Sequence, residues 1–218
     1  YGPRIVSNGL TLRLDSANPR SYIGSGNTWS DISYNSNPCT LAGSPTFNST
    51  NPTSFTFNGS NQKGDCGNNA SLQITIGTIA AWFNPNGTTN TGYRGIIAKQ
   101  YAWGLFLLDN VFIAYDWGNA AARSTGITPA PNRWYYGVMT FTDTSGSPSN
   151  NAILYLNGSA SLTTTIKHSN QSVSVQIAEA NSSQYFNGKI AEASVYNRVL
   201  TAAEVRQNYN ALKGRYGL

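Results

Sequence analysis

A chain of 218 residues has the length of one β-sandwich domain and can bury about 70% of the surface its unfolded form exposes. It is 39% hydrophobic and only 11% charged, with Asn, Ser, Thr and Gly filling the difference, which fits an extracellular β-protein rich in polar turns better than a cytosolic enzyme. Fourteen Lys and Arg against nine Asp and Glu give a net charge of +5, but the cations are scattered without a recognition helix, which argues against nucleic acid, and no apolar stretch approaches the ~20 residues of a membrane span.

The first predicted strand is Leu10–Asp15, with Leu10, Leu12 and Leu14 inward and Thr11, Arg13 and Asp15 outward. A turn-rich loop follows, leading to Trp29, which is expected in the core. Cys39 and Cys66 fall in early loop and strand segments, as two unpaired thiols or as a disulfide bridge. Strands are predicted at 72–76, 78–83, 95–99, 104–108, 111–115, 133–142, 153–157 and 173–178. Asn157-Gly158 marks a hairpin turn. Residues 143–151 read as a polar loop, and there is no internal repeat.

The last stretch departs from this pattern. Asn187-Gly188 signals a turn and alternation then marks a strand ending at Asn197. Thr201 and Glu204 form a T-x-x-E capping box worth roughly 1 kcal/mol to a helix start. Ala202, Val205, Tyr209 and Leu212 share one helical face, and Gly214 stands where a C′ glycine belongs. Trp82, Trp134, Tyr196 and Tyr209 are expected in the core. Asn197 and Arg198 are expected to satisfy backbone carbonyls at the corner between strand and helix.

Three sets of residues carry a resemblance. Near the start, Gly9, Leu10, Leu12, Leu14, Asp15 and Asn18 lead on to Ser21, Tyr22, Gly24, Gly26, Trp29 and Asp31. In the middle, Trp134-Tyr135-Tyr136 precedes Leu154-Tyr155-Leu156-Asn157-Gly158. At the end, Gly188 and Ile190 precede Tyr196-Asn197-Arg198, Leu200, Thr201 and Glu204. Together these resemble the laminin-G-like, concanavalin A-like jelly rolls, and the ending at 208–217 is similar to virion-associated members in tailed bacteriophages. The resemblance spans essentially the whole chain.

It implies an all-β fold: a two-sheet antiparallel jelly-roll sandwich with a short C-terminal helix, as a single domain over 1–218. Because the chain starts at Tyr1, that domain is expected to be a processed form or the C-terminal part of a longer protein. The resemblance further implies a virion structural or adhesion protein, in a tail fibre or a capsid or tail decoration. Its partners would be neighbouring virion subunits, copies of itself in a homo-oligomer, and surface glycans bound multivalently. Two alternatives stand beside this: an architectural subunit-packing domain that binds no sugar, and a secreted cellular glycan-binding module. The sequons at Asn48, Asn58, Asn69, Asn86, Asn157, Asn170 and Asn181 would favour the last if they carry sugar. The expected location is the virion surface or the extracellular space.

The similar superfamily includes glycan hydrolases, which need two positioned carboxylates. The glutamates here are Glu179, Glu192 and Glu204, none with an acidic neighbour at catalytic spacing. His168 is the single histidine, in a polar run without a G-x-S-x-G elbow. The chain is therefore read as non-enzymatic. The candidate ligand site is the stretch with Tyr101, Trp103, Tyr115, Asp116, Trp117 and Asn119, because aromatic faces stack on sugar C–H faces while Asp and Asn pair with hydroxyls. Tyr93 and Arg94 form a second candidate, with Arg94 placed to meet an acidic glycan or another subunit. No cofactor is required. For calcium, common in that superfamily, the contributors would be Asp15, Asp31 and Asp143, although Asp15 and Asp31 suit backbone amides of the first loop better.

Overall fold

In the computed structural model, residues 3–87, 90–142, 149–167 and 171–218 are described. Asp143, His168 and the 143–148 part of the polar loop lie outside them. The strands run in chain order as β1 (Leu10–Asp15), β2 (Thr28–Trp29), β3 (Cys39–Ala42), β4 (Thr46–Asn48), β5 (Ser54–Asn58) and β6 (Lys63–Asp65). Then come β7 (Gly77–Pro85), β8 (Tyr93–Lys99), β9 (Trp103–Leu108), β10 (Val111–Asp116) and β11 (Ala121–Ser124). β12 (Tyr135–Phe141), β13 (Ala152–Leu156), β14 (Ser159–Thr164), β15 (Val175–Ile177) and β16 (Asn187–Tyr196) precede one helix, α1 (Ala202–Leu212).

Two antiparallel sheets result, as the jelly-roll reading expects. The first has the order β14-β13-β12-β7-β16-β5-β4, and the second β11-β10-β9-β8-β15-β6-β3-β2. β16 is long enough to be shared: its first residues pair with β5 and its last with β1, while β7 runs along its other side. Leu12, Leu14, Ile79, Ala81, Phe83, Leu105, Leu107 and Phe112 are among the side chains that fill the space between the sheets. Trp29 belongs there too, its ring 4.7 Å from Phe55.

A third layer lies on the outer face of the first sheet. β7 is buried along its whole length because its alternate residues Ala80 and Trp82 meet α1 and the turn after it. Trp82 stacks 4.1 Å from Tyr216, which also touches Trp134 at 4.8 Å. Tyr196 is buried, donating its hydroxyl to the Val6 carbonyl and accepting from Asn208 Nδ2, each at 3.0 Å. The capping box is present: Thr201 Oγ1 accepts from Glu204 N–H, and Glu204 accepts from Thr201 N–H. Arg198 clamps Glu204 at 2.6 and 3.0 Å and donates to the Asn8 carbonyl, and the Asn197 N–H donates to Gly9.

Several expectations need correction. Thr11 and Asp15 are buried, not outward to solvent: Thr11 sits at the irregularity of β1 and donates its hydroxyl to the Val195 carbonyl at 3.2 Å, and Arg215 from the C-terminal turn covers Asp15, reaching it at 2.7 Å. Gly214 does not end the helix. The chain continues as a 3₁₀ turn over Lys213–Tyr216, which is how Tyr216 reaches Trp82, and Gly217 (φ 71°) provides the left-handed stop. Within α1, Val205 and Leu212 are buried and Tyr209 half-buried, whereas Ala202 is exposed.

Asn187-Gly188 is not a turn but the start of β16, where a Cβ on Gly188 would run into the Asn84 carbonyl oxygen. No strand forms at 72–76. Leu72 closes a 3₁₀ turn by donating to Asn69, and its carbonyl accepts from Lys99 Nζ at 3.3 Å. That lysine is fully buried with Asn68 Oδ1 at 2.6 Å, and burial pulls its pKa down to about 8. β11 and β14, which alternation misses, are polar edge strands. Cys39 on β3 and Cys66, just past its partner β6, form a disulfide.

Candidate functional site

Because successive side chains of a strand point to opposite faces, the second sheet has an outer face of its own. Leu105 and Leu107 of β9 point to the inter-sheet core, so Phe106 points away from it. Tyr93 of β8 and Tyr115 of β10 lie on the same side, and Trp117 folds back just beyond β10. The rings meet at angles: Tyr93 to Tyr115 at 5.2 Å, Tyr115 to Trp117 at 5.1 Å and Phe106 to Trp117 at 5.8 Å. Phe106 is buried as the floor. Tyr93, Tyr115 and Trp117 are half-buried and leave ring surface facing a cleft of about 180 Å³.

Two loops close the cleft. The first is the β8–β9 turn carrying Gln100 and Tyr101, fixed by an Ala102 N–H to Lys99 carbonyl bond of 3.0 Å. The second, between β15 and β16, supplies Asn181 and Gln184. It can lie directly across β8 because residue 95 is glycine: a Cβ there would sit 2.7 Å from the Glu179 carbonyl oxygen. The Gly95 N–H then holds the loop by donating to the Gln184 carbonyl. Gln100 Nε2 donates to Asn181 Oδ1 at 2.5 Å and ties the two loops into one rim.

Tyr101 sits on this rim at φ 64° and Asn181 and Ser182 at φ 55°. A left-handed tyrosine is an uncommon, strained choice. Half of Tyr101 is exposed (51%), so the other half is packed. In Tyr101→Gly, about 1 kcal/mol of relieved backbone strain is set against that packing, and the calorimetric unfolding midpoint is expected to stay within about 4 °C of wild type. A larger fall would show that the ring supports the fold.

Among the described residues, none that lines the cleft is charged. Burial raises the Tyr93 phenol pKa, reinforced by Tyr115 and Asp109, so its hydroxyl remains a neutral donor and acceptor.

Of the residues singled out from sequence, Tyr93, Tyr101, Tyr115 and Trp117 converge on this cleft. Four others do not. Trp103 is fully buried between the sheets, sent inward with Leu105 and Leu107 by the alternation of β9. Asp116 is fully buried and its carboxylate is occupied, accepting from Asn119 Nδ2 (2.8 Å), the Lys167 N–H (2.9 Å) and Arg123 Nη2 (2.5 Å). Burial alone would push that carboxyl up. The donors outweigh it and hold it below the usual range. Asn119 turns its amide to Asp116 and is spent there. Arg94 pairs across to Leu107 and shares its side of the sheet, opposite to Tyr93. Sequence reading missed Phe106, Gln100, Asn181 and Gln184. Alternation along β9 would have found Phe106, but the other three meet only through the fold.

Of the three aspartates named for calcium, Asp15 and Asp31 are described, and both are taken up by protein donors. Asp15 accepts from Arg13 at 3.2 Å and Arg215 at 2.7 Å, and Asp31 from the Arg13, Ser33 and Asn37 N–H groups. Among the described residues, no three His, Cys, Asp or Glu side chains group as a metal site requires.

Residues 58–206 match the family model described as the concanavalin A-like lectin/glucanases superfamily. No curated protein matches the chain. Among solved structures, the binding domain of Paraclostridial Mosquitocidal Protein 1 is similar with a TM-score of 0.70 at 15% identity, over 93% of this chain and 52% of that one. The binding domain of botulinum neurotoxin DC, solved in complex with SialylT, has a TM-score of 0.70 at 16% identity, over 95% of this chain and 52% of the other. Domain 4 of AbnA, a GH43 extracellular arabinanase from Geobacillus stearothermophilus solved with arabinotriose, has a TM-score of 0.67 at 16% identity, over 94% of this chain and all (100%) of that one. The chain thus spans about half the length of the toxin domains, and likeness at such identities is a likeness of fold.

Proposed function

Starting from a chain that belongs to the concanavalin A-like lectin/glucanases superfamily, we propose that it is a non-enzymatic, lectin-like module that binds a neutral glycan. The observation that carries this is the uncharged aromatic cleft, where Tyr93, Tyr115 and Trp117 present ring surface beneath a rim of amides. Ring surface takes the apolar face of a sugar and amides take its hydroxyls, whereas a charged ligand would find no counter-charge. The solved domain bound to arabinotriose supports the reading at the level of fold.

The glutamates favour binding over hydrolysis, since none of them lines the aromatic cleft. Glu204 closes the helix cap, Glu192 lies beneath the C-terminal turn, and Glu179 sits beside Lys63. The disulfide supports an extracellular setting. The similarity of both chain ends to phage virion proteins supports display on a particle, where repetition raises the avidity of a weak site.

Glycan binding is tested with the protein displayed multivalently on an array of immobilised glycans. Wild type is expected to bind neutral structures, and Trp117→Ala to lose at least tenfold in signal, since stacking on an aromatic ring contributes about 1–3 kcal/mol. The unfolding midpoint should fall by only a few degrees. Binding retained in Trp117→Ala would remove the cleft from the site. Silence of the wild type across the array would favour the subunit-packing role.

A further inference from the structure

We infer that the aromatic cleft is one end of a longer groove whose neighbouring part is a second sugar subsite, with Glu179 and Gln176 as its hydroxyl acceptors. This rests on the glycan-binding reading above and assigns the ligand to a class, a neutral oligosaccharide bound across the strands.

A groove of about 320 Å³ adjoins the cleft and shares Gln100 and Asn181 with it, so the amide bridge between those two is a partition within one surface. Its lining is polar where the cleft is aromatic. Two acceptors in it have no partner among the described residues. Glu179 is only 2% exposed; one carboxylate oxygen faces Lys63 Nζ at 3.5 Å, and the other, Oε1, has no hydrogen bond. Gln176 spends its amide N–H on Asp65 at 3.0 Å and leaves its buried Oε1 unpaired.

Buried acceptors without donors cost about 1–3 kcal/mol each. What would satisfy them is a ligand that donates, as a sugar residue with free hydroxyls does. Lys63 and Glu179 are the charged residues lining the groove and offset each other, so it favours an uncharged ligand, as the cleft does. From Gln176 on β15 to Tyr115 on β10 is three strand spacings, roughly 14 Å, a span that takes more than one sugar ring. A ligand lying there stacks at one end and donates hydrogen bonds at the other.

The test compares each monosaccharide with its trisaccharide by titration calorimetry: arabinose with arabinotriose, and glucose with maltotriose and with cellotriose. At least one trisaccharide is expected to bind wild type about tenfold or more tightly than its monosaccharide. That gain should vanish in Glu179→Gln and in Gln176→Leu while monosaccharide affinity stays unchanged. Two variants on different elements keep the test decisive if one fails to fold, as thermal melts will show. A trisaccharide that binds no better than its monosaccharide, or a gain that survives both substitutions, overturns the subsite and leaves the cleft standing. Absence of binding by every probe, or binding indifferent to Trp117→Ala, overturns the cleft reading and the subsite with it.

Discussion

Replacing Cys39 and Cys66 together by alanine is expected to lower the unfolding free energy by about 3.5 kcal/mol. The bridge spans a sequence separation of 27, and closing a loop of that size removes this much conformational freedom from the unfolded chain. Both sulfurs are buried against the inter-sheet core, so the alanines also lose some packing. For a chain of 218 residues the loss amounts to a midpoint roughly 10 °C lower. Calorimetry of the double variant beside wild type, with and without reductant, measures it. Reductant should lower the wild-type midpoint towards that of the variant and leave the variant unchanged. A wild type indifferent to complete reduction would mean that β3 and β6 hold their register without the bond.

The second large effect is a dependence of stability on pH that comes from one side chain. Glu192 on β16 lies opposite Asp15 on β1, beneath Arg215 and beside Arg13, whose Nε is 3.7 Å away. The buried phenols of Tyr136, Tyr196 and Tyr216 interact with it from β12, β16 and the C-terminal turn. Burial pushes its carboxyl up to about 7, with Asp15 adding to the rise and the two arginines opposing it, from an ordinary value of 4.5.

The folded state therefore holds a proton that the unfolded state releases between pH 4.5 and 7. Its contribution is complete below about pH 4.5, declines through that window and is gone above pH 7, about 3 kcal/mol in all. Glu204 works the other way. Its hydrogen bonds with Arg198 lead the causes that lower its carboxyl to about 2, so the stability it supplies is complete above pH 4.5 and lost as pH falls towards 2. Stability should peak near pH 4.5–5. Urea unfolding of wild type across pH 5–8 should show the fall, and Glu192→Gln should flatten it. A variant with the wild-type slope would assign the dependence elsewhere.

The sequence is most legible where one physical pattern acts alone. The Thr201/Glu204 box and the Asn157-Gly158 hairpin are local chemistry and form as read. The strands around Trp82, Phe106, Phe112 and Val138 follow from apolar alternation. Readings fail where a third element intervenes. Asp15 looks solvent-facing until a turn from the far end of the chain covers it, and Gly188 looks like a turn until a neighbouring strand needs its missing side chain.

The cleft divides the same way. Aromatics close in sequence suggest a cluster, but strand alternation separates Tyr115 from Asp116 and Tyr93 from Arg94, which composition cannot reveal. The amides of Asn181 and Gln184 arrive from another loop and leave no local mark near Tyr101. Glu179 reads as an isolated acid because its lysine partner lies 116 residues away.

The placement of β16 bears on how the protein is made. Of the strands of this domain it is made last, yet it is the one on which β1, β5 and β7 all pair. At roughly 5–20 residues per second of synthesis, the apolar margins of β5 and β7 go without their partner for on the order of ten seconds. During that interval the nascent chain carries open strand edges of the kind that recruit other chains. Translation that stops short of residue 187 leaves that exposure permanent, and the product is one for chaperones or proteases to remove.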